Sequence, residues 1–378
     1  MKKRLTALIL AFLKLGFTAF GGPAAAYGMM RQEFVVKRKW VSEETFLDYL
    51  GVANLVPGPN ATELAILLGF NYAGWPGMLL AGLCYIVPAM LIVLVFAWAY
   101  VQFGALPQLE GMLYGIKPVV VAIILSALWG MLKPRRKDYP GLGIIVVVFG
   151  FYLLGISPML LLLAGGLVLW GFINLKGRGH LVGLFMIAWS TPWQALQESA
   201  QNTAFSLSRL FWVFLKAGAV MFGSGYVLLA FIHDDLVVRL GWLTEGQLVD
   251  AIAVGQVTPG PLSTTATFVG YLLGGVPAAI LATLAMFLPS FVFIGIVYFA
   301  VSKLRDSEQF AGLIDGINFA ALGLMAGVAW EIAGTALVDP VTIGIGLVAL
   351  YLLLRYEVGA PWLILGGGAV GLVQMLIG

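Results

Sequence analysis

The chain has 378 residues, 61% hydrophobic and only 10% charged, with a net charge of +3. That is too little charge to dress a soluble globule, and several apolar runs reach the roughly 18 to 20 residues that span a bilayer. Nucleic-acid binding, a disulfide framework and a metal cluster are excluded: the basic residues sit in short loops, Cys84 stands alone, and His180 and His233 are the only histidines.

The first element, Met1-Lys2-Lys3-Arg4 and an apolar run, imitates a signal peptide. The run contains Lys14 and no small-residue cleavage site clearly follows, so it reads as retained. Residues 5 to 30 read as a re-entrant hairpin turning at Phe20-Gly21-Gly22-Pro23, where proline suits the start of a half-helix. Glycines there serve ligand approach or close helix packing. Residues 46 to 75 read as a second hairpin turning at Pro57-Gly58-Pro59. Such backbone is tolerated at membrane depth only where protein or a water-filled cavity satisfies it. Unbroken spans follow over 77 to 102 and 111 to 132, then two short helices within 141 to 175 broken near Ser157-Pro158.

The order then repeats. An offset of 202 pairs Lys14 with Lys216, Gly21 with Gly223, Trp40 with Trp242, Asp48 with Asp250, and Pro57-Gly58-Pro59 with Pro259-Gly260-Pro261. After one lost residue an offset of 201 pairs Gly74 with Gly275, Pro88 with Pro289, Gly115 with Gly316 and Trp129 with Trp330. Matches of Gly, Pro, Trp and Lys in one register mark an internal repeat. The expected spans of the second half are 277 to 302 and 313 to 336, with a broken pair over 341 to 377.

Loop charges set the orientation. Arg31, Lys37, Arg38 and Lys39 crowd one loop of the first half and Lys133, Arg135, Arg136 and Lys137 another, with none over 103 to 110. In the second half the pattern reverses: Arg239 faces Asp234 and Asp235, Lys303 and Arg305 fill the next loop, and Asp339 marks the last. By the positive-inside rule this predicts an all-α polytopic membrane protein of two homologous halves, residues 1–190 and 191–378, in inverted topology with broken or re-entrant helices. Antiparallel halves need an odd number of crossings and the spans give an even one. Either the apolar stretch 181 to 193 supplies the missing crossing or one hairpin crosses fully.

The breakers and buried charges are the candidate site. Two prolines around a glycine end one half-helix and begin another, and the new N-terminus offers free N–H groups and a positive dipole end to an anion. Asn60 reads as an N-cap with Glu63 completing a capping-box-like pattern, while Ser263, Thr264 and Thr265 take the first turn of the second copy. Glu63 serves as a cap or, as a buried carboxylate, carries a coupling proton. Lys14 and Lys216, matched at membrane depth, either snorkel or together compensate a doubly charged oxyanion. Lys117 is a third cation, unmatched because Asn318 takes its place. Arg31, Glu33, Asp48 and Asp250 read as solvated or paired loop charges, and most Trp and Tyr as interfacial belt or core.

The strings FTAFGGP and LVPGPNATELAILLGF, with FGSGY and GQVTPGPLSTTATFVGYLLGG in the second half, resemble the long, two-domain form of the chromate ion transporter family. The resemblance implies a multi-pass protein of the prokaryotic inner membrane, antiparallel halves, and chromate efflux and resistance. It implies site residues Gly21, Gly22, Pro23, Asn54, Pro57, Gly58, Pro59, Asn60, Thr62 and Glu63, with Gly223, Gly225, Gln256, Pro259, Gly260, Pro261 and Thr264; Ser224 and Ser263 adjoin them. Leu262 and Thr265 depart from Asn60 and Glu63, which speaks against a symmetric site.

Chromate and sulfate are tetrahedral dianions of similar size, and these residues do not separate them. The alternatives are a transporter or passive channel for another small anion, a membrane enzyme, and a scaffold subunit. No cofactor is implied, and Gly366-Gly367-Gly368 would permit close contact in a homodimer.

Overall fold

The computed structural model of the protein describes residues 2–20, 22–104, 106–174, 204–222, 225–298 and 308–377. The apolar stretch 181 to 193, the division at 190 and 191, His180, Lys303 and Arg305, and the candidates Gly21, Gly223 and Ser224 lie outside the described residues.

Among the described residues every regular element is a helix. The first half runs α1 (Lys2–Thr18), α2 (Gly22–Arg31), a π-turn (Gln32–Lys37), α3 (Glu43–Leu55), α4 (Asn60–Phe103), α5 (Pro107–Leu132), α6 (Tyr139–Leu153) and α7 (Pro158–Asn174). The second runs α8 (Leu207–Val220), α9 (Val227–Ile232), a π-turn (His233–Arg239), α10 (Glu245–Val257), a 3-10 turn (Leu262–Thr264), α11 (Thr265–Val297), α12 (Glu308–Ala336), α13 (Pro340–Tyr356) and α14 (Ala360–Ile377). The elements recur in the register read from the sequence. Among the described residues five helices are long and apolar enough to cross a membrane, and the protein is multi-pass.

Local chemistry explains the shared boundaries. Ser42 and Thr244 cap α3 and α10 by accepting from the amides of Thr45 and Gln247, and Asp138 and Asp339 cap α6 and α13 in the same way. α4 and α11 are each interrupted after one short leg, by Ala73-Gly74 and Gly274-Gly275. Gly74 and Gly275 take φ of +63° and +68°, which a side chain disfavours, and Pro76 and Pro277 follow at once.

The first leg of α4 returns alongside α3: the Tyr49 hydroxyl donates to Asn71 Oδ1 at 2.9 Å, and Trp40 stacks on Tyr72 with centroids 3.8 Å apart. At 13 residues α3 is about 20 Å long by the helical rise, short of the roughly 30 Å hydrocarbon core. Beyond the break, α4 leaves Leu79, Leu83, Leu91 and Val95 exposed, and α11 leaves Ile280, Leu284, Val292 and Ile296 at the corresponding positions. These are outward stripes suited to lipid.

The halves interlock. α5 packs on α13 and α14, whereas α12 packs on α6 and α7. Glycine sets how close they come. A Cβ on Gly115 would strike the Gly367 carbonyl, and one on Gly316 the Gly165 carbonyl, so no larger residue fits either crossing. α5 and α12 run antiparallel: Tyr114 near the start of α5 bonds Asp339 beyond the end of α12 at 2.6 Å, and Arg135 beyond α5 meets Asp315 near the start of α12 at 3.5 Å. At the hairpin tips the Gly58 amide donates to Met221 O at 2.6 Å and the Gly260 amide to Ala19 O at 2.9 Å. Reciprocal bonds between matched residues are the pattern of a local two-fold relation.

Candidate functional site

Residues of both Pro-Gly-Pro turns border one cavity. It is lined by Gly22, Pro59 and Asn60 from the first half and by Gly225, Tyr226, Gln256, Gly260, Pro261 and Ser263 from the second, with Ala26, Ala61, Tyr85, Gly255, Thr258 and Leu262 completing the wall. The N-terminal residues of α4 and of the 3-10 turn before α11 both border it.

The expected capping is not what forms here. Pro59, not Asn60, occupies the N-cap position of α4, and no side chain caps that turn. Proline leaves Asn60 as the first helical residue, and its side-chain amide reaches back to Asn54 Oδ1 at 2.7 Å. Glu63 completes no capping box; among the described residues neither carboxyl oxygen has a hydrogen-bond partner of ordinary geometry, and the residue is fully buried. Pro261 precedes the 3-10 turn equally uncapped, and the Thr264 hydroxyl folds back onto Pro261 O at 2.9 Å. The first turns bordering the cavity therefore lack side-chain caps.

Two hydroxyls sharpen the picture. Ser263 Oγ and the Tyr85 hydroxyl both belong to fully buried residues of the cavity wall, and neither finds a partner among the described residues. A buried unpaired hydroxyl is costly, on the order of 1–3 kcal/mol, so the wall is prepared for a polar occupant. Gln256 adds an amide whose Nε2 donates to the Tyr226 hydroxyl at 2.8 Å.

The remaining candidates stand apart from this wall. Pro57, Gly58, Thr62, Glu63, Pro259 and Thr264 lie behind it, in the turns or the helices they start, and Asn54 is exposed except for its bond to Asn60. Lys14 and Lys216 line neither turn. Lys14 Nζ lies 3.5 Å from Glu33, which also binds Arg38 at 2.7 Å; Lys216 pairs with Asp235, which also binds Arg239 at 3.1 Å. Glu33, read as a loop charge, is buried between its two cations. Burial raises its carboxyl, but the Arg38 hydrogen bond and the Lys14 charge prevail and hold it below the usual range. Asp250 is also buried, accepting from the Tyr100 hydroxyl at 2.8 Å, with Lys117 among the charges acting on it.

Sequence reasoning passed over Tyr85 and Tyr226, which read as belt or core aromatics. Their signal was a hydroxyl placed within an apolar run rather than at its end, in the one case beside Pro88 and in the other directly after the second Phe-Gly break.

The chromate transporter family model matches twice, over residues 6–170 and 208–372. The chain belongs to the chromate transporter family. It is 32% identical over 97% of its length to a chromate transport protein of Cupriavidus metallidurans, covering 92% of that protein. Likewise it is 33% identical to a probable chromate transport protein of Synechococcus elongatus, over 90% of this chain and 87% of the relative. A chromate transport protein of Pseudomonas aeruginosa is 32% identical over 92% of this chain and 86% of its own length. No solved structure matches the chain. These chromate transporter relatives are named as transporters and none as an enzyme.

Proposed function

We propose that this member of the chromate transporter family is a secondary transporter for a tetrahedral dianion, exporting chromate across a prokaryotic inner membrane with sulfate as physiological or exchanged ligand. The observation that carries the reading is the convergence of two uncapped helix starts and the unpartnered hydroxyls of Ser263 and Tyr85 on one cavity between the halves. An oxyanion satisfies these donors, and the dipole ends favour its charge. The names of the relatives make chromate the first substrate to test.

The halves are read as inverted repeats. Supporting this are the reversed loop charges, the antiparallel α5 and α12, and the reciprocal Gly58 and Gly260 bonds. A two-fold axis in the membrane plane reverses matched spans, whereas an axis along the normal would keep them parallel. Rocking of one interlocked set against the other would expose the central cavity alternately to the two sides. In this reading the Lys14 and Lys216 pairs contribute field rather than direct ligands.

The deciding experiment is flux of labelled chromate and sulfate into liposomes holding the purified protein. Saturable uptake, stimulated by oxyanion on the other side, is expected. Ser263→Ala and Tyr85→Phe should each weaken oxyanion affinity. Flux that never saturates would make the protein a passive channel, and wild-type affinity in both variants would move the site elsewhere.

A further inference from the structure

We propose that Glu63 is a proton-binding group of the transport cycle, taking up one proton together with each dianion; this rests on the oxyanion reading above. Three observations bring the residue forward. Glu63 is fully buried in the short first leg of α4, ahead of the break at Ala73-Gly74. Its two oxygens lack hydrogen-bond partners of ordinary geometry among the described residues. It also stands at a contact between the halves: a Cβ added to Gly58, the residue tied to Met221 of the other half, would meet both the Glu63 carboxyl and the Ser290 hydroxyl of α11.

Among the described residues the elements around it supply no countercharge. α2 brings Tyr27, on which Glu63 acts electrostatically and which also touches Asn60, with Tyr85 of α4 beside Tyr27, and α11 brings the Ser290 hydroxyl. Lys14 of α1 is held by Glu33, Glu43 of α3 by Arg31, Glu44 is exposed, and Asp48 acts on Tyr49. Lys216 of α8 is held by Asp235, and Asp250 of α10 lies against Tyr100. An ionised carboxylate without a partner is expensive in such surroundings, so the closed pocket accommodates the neutral acid.

The second half lacks this device. Thr265 stands where Glu63 does and is satisfied by Leu262 O at 2.7 Å, while Ala89 occupies the place of Ser290 and faces Gly260. Among the described residues this position holds an acid in one half alone, and the proposal therefore expects one proton per cycle.

Coupling comes from charge. Asn60 borders the cavity and Glu63 lies one turn further on the same helix, a spacing of about 5–6 Å between Cβ atoms. A dianion at the cavity repels the ionised acid and favours the protonated one, and by linkage the proton favours the anion equally. Anion and proton then travel together, and each turnover moves one negative charge instead of two. No bond other than the carboxyl O–H forms or breaks.

Sulfate is the probe, because it remains a dianion throughout the accessible pH range. Its affinity for the purified full-length protein is measured by calorimetry across pH, and proton entry is followed with a trapped dye in liposomes. The wild type should lose affinity tenfold per pH unit on the alkaline side of a midpoint and carry one proton per anion. Glu63→Gln should abolish both the slope and the proton movement, while Glu63→Asp and Ser290→Ala should shift the midpoint. A pH-independent wild type, or an unchanged slope in Glu63→Gln, overturns the proposal. Should Glu63→Gln not fold, an unchanged midpoint in both Glu63→Asp and Ser290→Ala overturns it instead. A wild type that binds neither sulfate nor chromate at any pH overturns the oxyanion reading itself.

Discussion

The Gly58 amide donates to the Met221 carbonyl at 2.6 Å, so the breaker turn of one half is fastened to the hairpin tip of the other. Gly260 and Ala19 make the counterpart bond at 2.9 Å. Both glycines take positive φ, +142° and +93°, which presents their amides across the interface and disfavours any side chain. A shift of either hairpin is thereby felt at both turns that border the cavity.

Inversion in the membrane is tested by accessibility. In a Cys84→Ala background, Arg136→Cys and Val338→Cys should react with an impermeant thiol reagent from opposite sides. Both positions are exposed, in the matched connections before α6 and α13. Labelling from one side would mean that the halves are parallel.

Close packing of the interlocked helices makes a sharper demand. Gly115→Ala places a methyl against the Gly367 carbonyl and should destabilise by about 1–3 kcal/mol. Gly130→Ala, further along the same helix with nothing within 4 Å of the added atom, should be neutral or stabilising by up to about 1 kcal/mol. Thermal unfolding in detergent compares them. Equal melting temperatures would show that the α5 and α14 contact is looser than the geometry indicates.

Much of this arrangement was legible in the sequence because its cause is local. The repeat pairs Gly74 with Gly275, and the spans expected from 77 and 277 begin just beyond these glycines and Pro76 and Pro277; Asp138 and Asp339, not read as caps, start α6 and α13. The partners of the charges were not legible. Nothing near Lys14 in the sequence singles out Glu33 across the hairpin, and nothing near Tyr85 says that it lines a cavity completed by Ser263. Asn60 shows the limit of motif reading: it has the chemistry of a cap, but Pro59 occupies the position that a cap must hold.

The cavity prediction rests on those hydroxyls. Ser263→Ala and Tyr85→Phe each remove a donor that has no protein partner among the described residues, so the free protein should lose no hydrogen bond. A hydrogen bond to a charged ligand is worth about 1.5–3 kcal/mol, so affinity for the oxyanion should fall roughly 10- to 150-fold. Melting temperatures should hold or rise. Calorimetric titration with chromate and sulfate reads the first effect and unfolding the second. Loss of stability with unchanged affinity would assign both hydroxyls to packing.

The lysines allow the opposite separation. Lys216 is about one third exposed and pairs with Asp235, a buried carboxylate that Arg239 also holds at 3.1 Å. Removing one partner leaves the other charge short of compensation, but exposure of the lysine and the second cation limit the cost. Lys216→Met should therefore destabilise by about 1–2 kcal/mol, less than a fully buried pair would lose. Asp235→Asn in the same chain should recover part of that loss, a coupling that a double-mutant cycle measures in detergent. If the lysine acts on the anion only through its field, affinity for sulfate should weaken several-fold in Lys216→Met and recover as Asp235→Asn restores the local net charge. A direct ligand behaves differently, since neutralising Asp235 cannot replace a lost ammonium contact. Full loss of sulfate binding in Lys216→Met that Asp235→Asn leaves uncorrected would bring Lys216 into the site, through a movement that carries it from Asp235 to the cavity.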